Sequence, residues 1–359
     1  MTDGSRGEPT MTVGIDLGDR YSYLCLLDTE SGEVIEEGRL RTTPEVFGRR
    51  FGSERSMRIA MEAGTHSPWT SRLLERCGHH EVLVANARKT RLIYAESRKT
   101  DRIDAEKLAR LARLDPKLLA PIEHRGESSQ AHLALIRSRE ALVRTRARLI
   151  NHVRFVVKPF GHRLPKCSAQ GFHKKVSGGI PEALNPALEP ILQTIEELTA
   201  RIREYDRKLA ALAEELYLET KLLEQVQGVG ALTALAFVLI VEDPTRFANG
   251  RAVGAYAGLV PGKDQSGDSD PQRRISRHGN ELLRRLLVGC AHYILGPFGQ
   301  DSDLRRHGEK IAERGGKNAR KRAIVAVARK LAVLLHRLWI SGEVYDPLYN
   351  ARRARERVA

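Results

Sequence analysis

The chain is 359 residues long, enough for two or three domains, each with its own core. Lys and Arg outnumber Asp and Glu by 60 to 45, a formal net charge of +15, while 41% of residues are hydrophobic and only 5% aromatic. That balance excludes a mainly disordered chain, a collagen-like repeat and a disulfide-stapled miniprotein, and it makes a polyanion, nucleic acid first, the partner to expect.

In chain order, residues 1–10 form a polar tail, expected to be disordered, without the apolar core of a signal peptide. Thr12–Leu17 (TVGIDL), Tyr21–Leu27 and Glu33–Leu40 follow as strands separated by Gly18-Asp19 and Ser31-Gly32, which predicts an antiparallel meander. A helix after Pro44, a strand over Ile59–Glu62, a helix after Pro68, a strand over Val82–Ala85 and a helix from Asp101 to Leu114 complete a domain over 11–122. The order β-β-β-α-β-α-β-α is that of the α/β ribonuclease H-like fold.

The middle, 123–220, is expected to be helical. Leu188, Ile191, Ile195, Leu198, Ile202, Tyr205, Leu209, Leu212 and Leu216 step by three and four in alternation, the seam of a coiled coil. The apolar pairs Leu135-Ile136, Leu142-Val143, Leu149-Ile150 and Val156-Val157 recur every seven residues, and a Gly/Pro/Lys-rich stretch over 159–190 separates the two patterns. Such helices make either a hairpin within one subunit or a seam between subunits, and self-association is the expectation.

The C-terminal domain, 221–345, is expected to be mainly helical. QGVGAL over Gln227–Leu232 fits a helix-hairpin-helix-like turn whose N–H groups at Gly228 and Gly230 hold a phosphate, or equally a glycine cap between packed helices. The longest apolar run, Ala231–Val241, is too short to cross a bilayer, and no basic amphipathic helix carries aromatic anchors, so no membrane partner is expected. Lys317–Lys330 holds six Lys or Arg and no acid, and 346–359 is a basic tail expected to fray from Ala351. Cys25, Cys77, Cys167 and Cys290 are far apart with no CxxC pair, as for reduced thiols of a cytoplasmic protein.

Four carboxylates stand out by position. Asp16 ends the first strand, Glu62 ends the fourth in AMEAG, and Asp101 and Asp104 lie three apart at a helix start in KTDRIDAEKLARL, able to face one side. Such a cluster repels itself unless hard cations neutralise it, and oxygen donors suit Mg²⁺. Two ions about 3.5–4 Å apart would activate an attacking oxygen and stabilise the leaving one in phosphodiester chemistry. Singly, each acid also fits a turn or a helix cap; their order on these elements is what points to a site. GIDLG also opens the phosphate hairpin of actin-like ATPases and sugar kinases, but no matching second phosphate loop or adenine loop follows.

Ser266 lies in GKDQSGDSD, a glycine-flanked polar loop followed by five arginines, Arg273, Arg274, Arg277, Arg284 and Arg285. A hydroxyl beside guanidinium groups is placed to attack a phosphate. A plain polar surface loop is the reading the residues alone favour, because no His-plus-acid pair marks a triad.

Taken together, VGIDLG, AMEAG, KTDRIDAEKLARL, QGVGALTA, TRFANGRAVGAYAGLVPGKDQSG and RRISRHGNELLRRLL resemble the DEDD transposases of bacterial insertion sequences of the one-ten type. The resemblance runs from about residue 11 to 340 and implies a RuvC-like N-terminal domain joined to a C-terminal serine transposase domain. It implies that Asp16, Glu62, Asp101 and Asp104 are a metal-binding tetrad for two Mg²⁺ ions. Ser266 would be a nucleophile that links covalently to DNA, with Ser269 competing for that role among Asp264, Asp268 and Asp270. A structured guide RNA from the element, double-stranded DNA of element ends and target, and a homo-oligomer (dimer or tetramer) are the implied partners. One subunit's acids would work with another's serine, in the bacterial cytoplasm at the nucleoid. Phosphates would meet Arg273, Arg274, Arg277, Arg284, Arg285, Lys317, Arg320, Lys321 and Arg322, with affinity falling steeply as salt rises. Two other functions compete: a Mg²⁺-dependent structure-specific endonuclease, like a Holliday-junction resolvase, that acts through water, and a non-catalytic nucleic-acid-binding protein on a decayed scaffold.

Overall fold

The computed structural model describes residues 9–52, 56–78, 80–90, 100–262, 264–267, 269, 271 and 273–356. Most of the expected N-terminal tail, and Asp268 and Asp270 beside the candidate serine, lie outside the described residues. The chain divides into two compact units, Met1–Arg125 and Gly126–Ala359, so the helical middle shares its unit with the C-terminal part.

The first unit holds β1 (Met11–Asp16), β2 (Tyr21–Asp28), β3 (Val34–Arg41), α1 (Pro44–Phe51), β4 (Met57–Glu62), α2 (Ser67–Cys77), β5 (Glu81–Ala85), α3 (Ala87–Thr90) and α4 (Asp101–Leu114). The sheet order is β3-β2-β1-β4-β5, with the β1–β2–β3 meander antiparallel and β1–β4–β5 parallel. This mixed five-stranded sheet with flanking helices fits the ribonuclease H-like expectation. Strand alternation sorts the two faces. Val13, Ile15, Ile59 and Met61 pack with Phe47, Phe51 and Leu74 of α1 and α2, whereas Ala60, Cys25 and Leu27 join the clusters that include α4. Gly14 explains how close α4 comes: a Cβ there would lie 2.0 Å from the Ala105 carbonyl oxygen and 2.4 Å from the Ala109 nitrogen. Glycine inside a strand marks such a backbone approach. Burial first, and Glu106 next, push the Cys25 thiol under α4 up to about 11, which leaves it inert.

The second unit opens with α5 (Glu127–Val156), α6 (Phe172–Val176) and α7 (Asn185–Leu216). Arg139 Nε donates to Asp206 at 2.5 Å and Arg146 Nη1 to Thr199 at 3.1 Å, so seven residues forward on α5 are seven back on α7 and the two helices run antiparallel. The α7 seam is therefore covered from within the chain. Leu188, Ile195, Ile202 and Leu209 are buried, and Thr199 and Ala213 complete the inward stripe. Ile191, Leu198, Tyr205 and Leu212 turn half outward, and Leu216 is 61% exposed. The buried stripe keeps Leu188, Ile195, Ile202 and Leu209 of the expected seam but takes Thr199 and Ala213 in place of Leu198 and Leu212, with Thr199 meeting Arg146 of α5.

After α7 come α8 (Thr220–Glu224), α9 (Ala231–Val241), α10 (Gly250–Tyr256), α11 (Glu281–Ile294), α12 (Asp303–Ala312), α13 (Ala319–Ser341) and α14 (Tyr349–Glu356). The apolar α9 is the centre of this core, buried from Thr233 to Val241 among α5, α7, α8 and α11. None of the described helices is long and apolar enough to cross a membrane. Where a frayed tail is expected from Ala351, α14 is helical to Glu356, residues 357–359 lying outside the described residues, and the Asn350 backbone N–H and side-chain amide both donate to Asp303, at 2.7 and 3.0 Å.

Candidate active site

β1 and β4 are adjacent parallel strands paired through Ile15 and Met61, so Asp16 and Glu62, the next residue of each, end side by side. Asp16 lies two residues after Gly14 and Glu62 two after Ala60, which puts both carboxylates on the face that α4 covers. The direction of α4 brings the other two acids to the same edge. Its last turn is held at the far end of β1, where Arg113 Nε donates to Thr29 O at 2.8 Å and Nη2 to Glu30 O at 2.7 Å. Its first turn, with Asp101 and Asp104, therefore lies toward the end that carries Asp16. Thr100 caps that turn, accepting from Ile103 N at 3.4 Å.

Asp101 is exposed and Asp16, Glu62 and Asp104 are half-buried, so the edge is open to a large substrate. Among the described residues, no three His, Cys, Asp or Glu side chains form a ready-made metal cage. The register ends Asp16 and Glu62 side by side and the first turn of α4 lies toward the same end, but the described acids are not gathered into one cluster; carboxylate oxygens are a donor set that fits hard divalent cations rather than soft ones.

A histidine links two loops at this edge. His66, in the loop after β4, lies with Nε2 3.3 Å from Oδ1 of Asp19, in the loop after β1. Trp69 Nε1 donates to His66 Nδ1 at 3.1 Å. With Nδ1 accepting, the neutral ring carries its proton on Nε2 and donates it to Asp19. Ser67 steadies the same loop, accepting from Gly64 N and donating to Gly64 O, both at 2.9 Å. A His one residue before a helix that opens on Ser-Pro looks like a capping position, which is why the spacing gave no signal.

The serine belongs to the second unit. Val260–Gly262 and Arg274–Ser276 pair as a short ribbon, with Ser276 N donating to Val260 O at 2.8 Å and Gly262 N to Arg274 O at 2.9 Å. Near its tip Ser266 and Ser269 exchange backbone hydrogen bonds of 3.1 and 3.0 Å around Gly267, which is left-handed at φ +55. Both serines are exposed.

The basic candidates separate into engaged and open groups. Arg273 pairs with Asp264, Arg285 with Glu140, and Arg284 with backbone carbonyls of the ribbon's root. Arg274, Arg277, Lys317, Arg320 and Lys321 are exposed; Arg322 is too, with Nη2 donating to Gly315 O at 3.3 Å. Gly228 is left-handed at φ +93, and a Cβ would come 2.9 Å from the Tyr293 ring, so packing alone demands a glycine there. Gly230 stays exposed at the N-terminus of α9.

Comparison with known proteins gives two family matches. A DEDD transposase model of the IS110 type covers residues 13–160, and the "Transposase IS116/IS110/IS902 family" model covers 220–307. A putative transposase of Sinorhizobium fredii is 31% identical over 80% of this chain and 74% of its own length. The transposase for insertion sequence element IS1111A of Coxiella burnetii is 28% identical over 93% and 90%. A pilin gene-inverting protein of Moraxella lacunata is 26% identical over 37% of this chain and 40% of that protein.

Proposed function

The chain belongs to the IS116/IS110/IS902 family of transposases, and from that premise we propose that it is an RNA-guided, site-specific recombinase of an insertion sequence that works through Ser266. It is a DNA transposase, an enzyme that breaks and rejoins DNA strands. In the proposed reaction the Ser266 hydroxyl loses its proton and bonds to a backbone phosphorus while one DNA oxygen leaves as a free hydroxyl. The phosphodiester is exchanged, not hydrolysed, so a DNA hydroxyl from another strand can reverse the step and release the serine. Asp16, Glu62, Asp101 and Asp104 would hold Mg²⁺, whose bound charge supplies Lewis acidity at the phosphate and stabilises the developing alkoxide. Arg274, Arg277, Lys317, Arg320 and Lys321 neutralise flanking phosphates of DNA or of a structured guide RNA from the element. The acids and the serine lie in different units, and in this reading the protein acts as a homo-oligomer in which one subunit's acidic edge serves another's serine.

The single observation that supports this reading best is the register that ends β1 and β4 side by side on Asp16 and Glu62, with the first turn of α4 directed to the same edge. The likeness to pilin gene-inverting proteins favours rejoining over hydrolysis, since inversion conserves both ends. The test is a cleavage reaction with Mg²⁺, the element-end RNA and labelled DNA, quenched in denaturant. A DNA–protein adduct is expected with wild type and absent with Ser266→Ala and Asp16→Asn. Cleavage without an adduct in either the wild type or Ser266→Ala would instead make the protein a nuclease acting through water.

A further inference from the structure

The ribbon that carries Ser266 is closed at its root by one side chain. Arg284, in the first turns of α11, donates from Nη1 to Ala257 O on the incoming limb at 3.0 Å and to Arg277 O on the returning limb at 3.2 Å. The backbone around it is held against local preference. Arg277 is left-handed at φ +55, a conformation disfavoured outside glycine, and Gly258 opposite it is left-handed at φ +69. A Cβ on Gly258 would lie 2.7 Å from Arg284 Nη1. A Cβ on Gly279 would lie 2.3 Å from Tyr256 O and 2.5 Å from Gly258 N, so the limbs meet backbone to backbone.

A guanidinium presents several donors in a rigid plane and can span two carbonyls, whereas an ammonium is a point charge on a flexible stem. The strained residue, the two crowded glycines and the bridging arginine form one device at the root of a loop whose tip is exposed. We infer that Arg284 is a positioning residue for Ser266: it locks the root of the ribbon and so fixes how the serine is presented. It is not the phosphate contact that its place in an arginine cluster suggests. The inference rests on the serine reading above.

The experiment compares wild type with Arg284→Gln, Arg284→Lys and Gly258→Ala in two measurements. The first is DNA affinity across a salt series, where each lost phosphate contact flattens the log–log slope by about 0.9. The second is the single-turnover rate of adduct formation at saturating DNA. Arg284→Gln is expected to keep the wild-type slope and to lower the rate about tenfold or more, with Arg284→Lys between the two, as misplacement without loss of binding predicts. Gly258→Ala keeps Arg284 but drives a methyl into its guanidinium, and should reproduce the rate loss, which keeps the test decisive should Arg284→Gln fail to fold. A flattened slope with an undiminished rate in the Arg284 variants would make Arg284 a phosphate contact and overturn the inference, as would no change in either measurement. Ser266→Ala, run alongside, separates the two readings: an adduct that persists in it removes the serine reading, while its loss beside normal Arg284 variants removes only the positioning role.

Discussion

At the scale of single residues, the His66–Asp19 bond has a mechanical consequence. It ties the loop three residues past Asp16 to the loop four residues past Glu62, and Trp69 fixes the ring so that it can only donate toward Asp19. Groups that hold metal ligands in place typically matter by about 10–100-fold in affinity or activity, and this pair holds the two loops that follow the proposed ligands Asp16 and Glu62. On the proposed reading, in which Asp16 and Glu62 hold Mg²⁺, His66→Ala is expected to raise the Mg²⁺ concentration needed for half-maximal strand cleavage about tenfold while DNA affinity stays unchanged. Trp69→Phe, which frees Nδ1 to carry the proton, should show a smaller rise. Initial rates across a Mg²⁺ series, beside DNA binding in the absence of Mg²⁺, would check both. A uniform loss of cleavage at every Mg²⁺ concentration would mean that the pair only supports the fold.

Single elements place the acids, and here Gly14 is decisive. No side chain can be accommodated where α4 backbone atoms lie 2.0 and 2.4 Å from the would-be Cβ, because neither neighbour is a movable side-chain end. Gly14→Ala must push α4 off the sheet and carry Asp101 and Asp104 away from Asp16 and Glu62. The expected cost is at least about 1–3 kcal/mol of unit stability, as for other overpacked sites, with strand cleavage abolished before the protein unfolds at 25 °C. Thermal melting paired with the adduct assay would measure the two effects; cleavage at the wild-type rate would show that the helix position is not what assembles the edge. The strands and their acidic ends were legible in the sequence because period-two patterning and turn residues are local signals. The depth of α4 was not, since a glycine in GIDLG serves a tight turn as readily as a helix crossing. Nor was the phase of α7, which depends on Thr199 meeting Arg146 from a helix some fifty residues earlier. The same limit applies to Arg284: next to Arg285 it looks like surface charge, and only the fold brings it the Ala257 carbonyl 27 residues away.

At the scale of the whole molecule, the two chemical groups of the proposed reaction sit in separate compact units, Met1–Arg125 and Gly126–Ala359. That division permits either a site completed within one chain or one completed between chains, and mixing inactive variants tells them apart. Asp16→Asn chains keep the serine and lose an acid; Ser266→Ala chains keep the acids and lose the serine. If each site takes its serine from one subunit and its acids from another, an equimolar mixture that assembles at random regains about a quarter of the wild-type sites, because only one of four pairings is intact, whatever the size of a symmetric ring. If each chain completes its own site, every pairing is dead and the mixture forms no adduct. The half-buried outer row of α7, Leu198 and Tyr205 in particular, offers an apolar surface through which chains can meet. Leu198→Glu, placed in both variants, should then remove the regained activity and lower the molar mass measured by light scattering. Regained activity in a mixture that stays monomeric would place the exchange on the DNA itself, with two separate chains meeting only at the strand they cut.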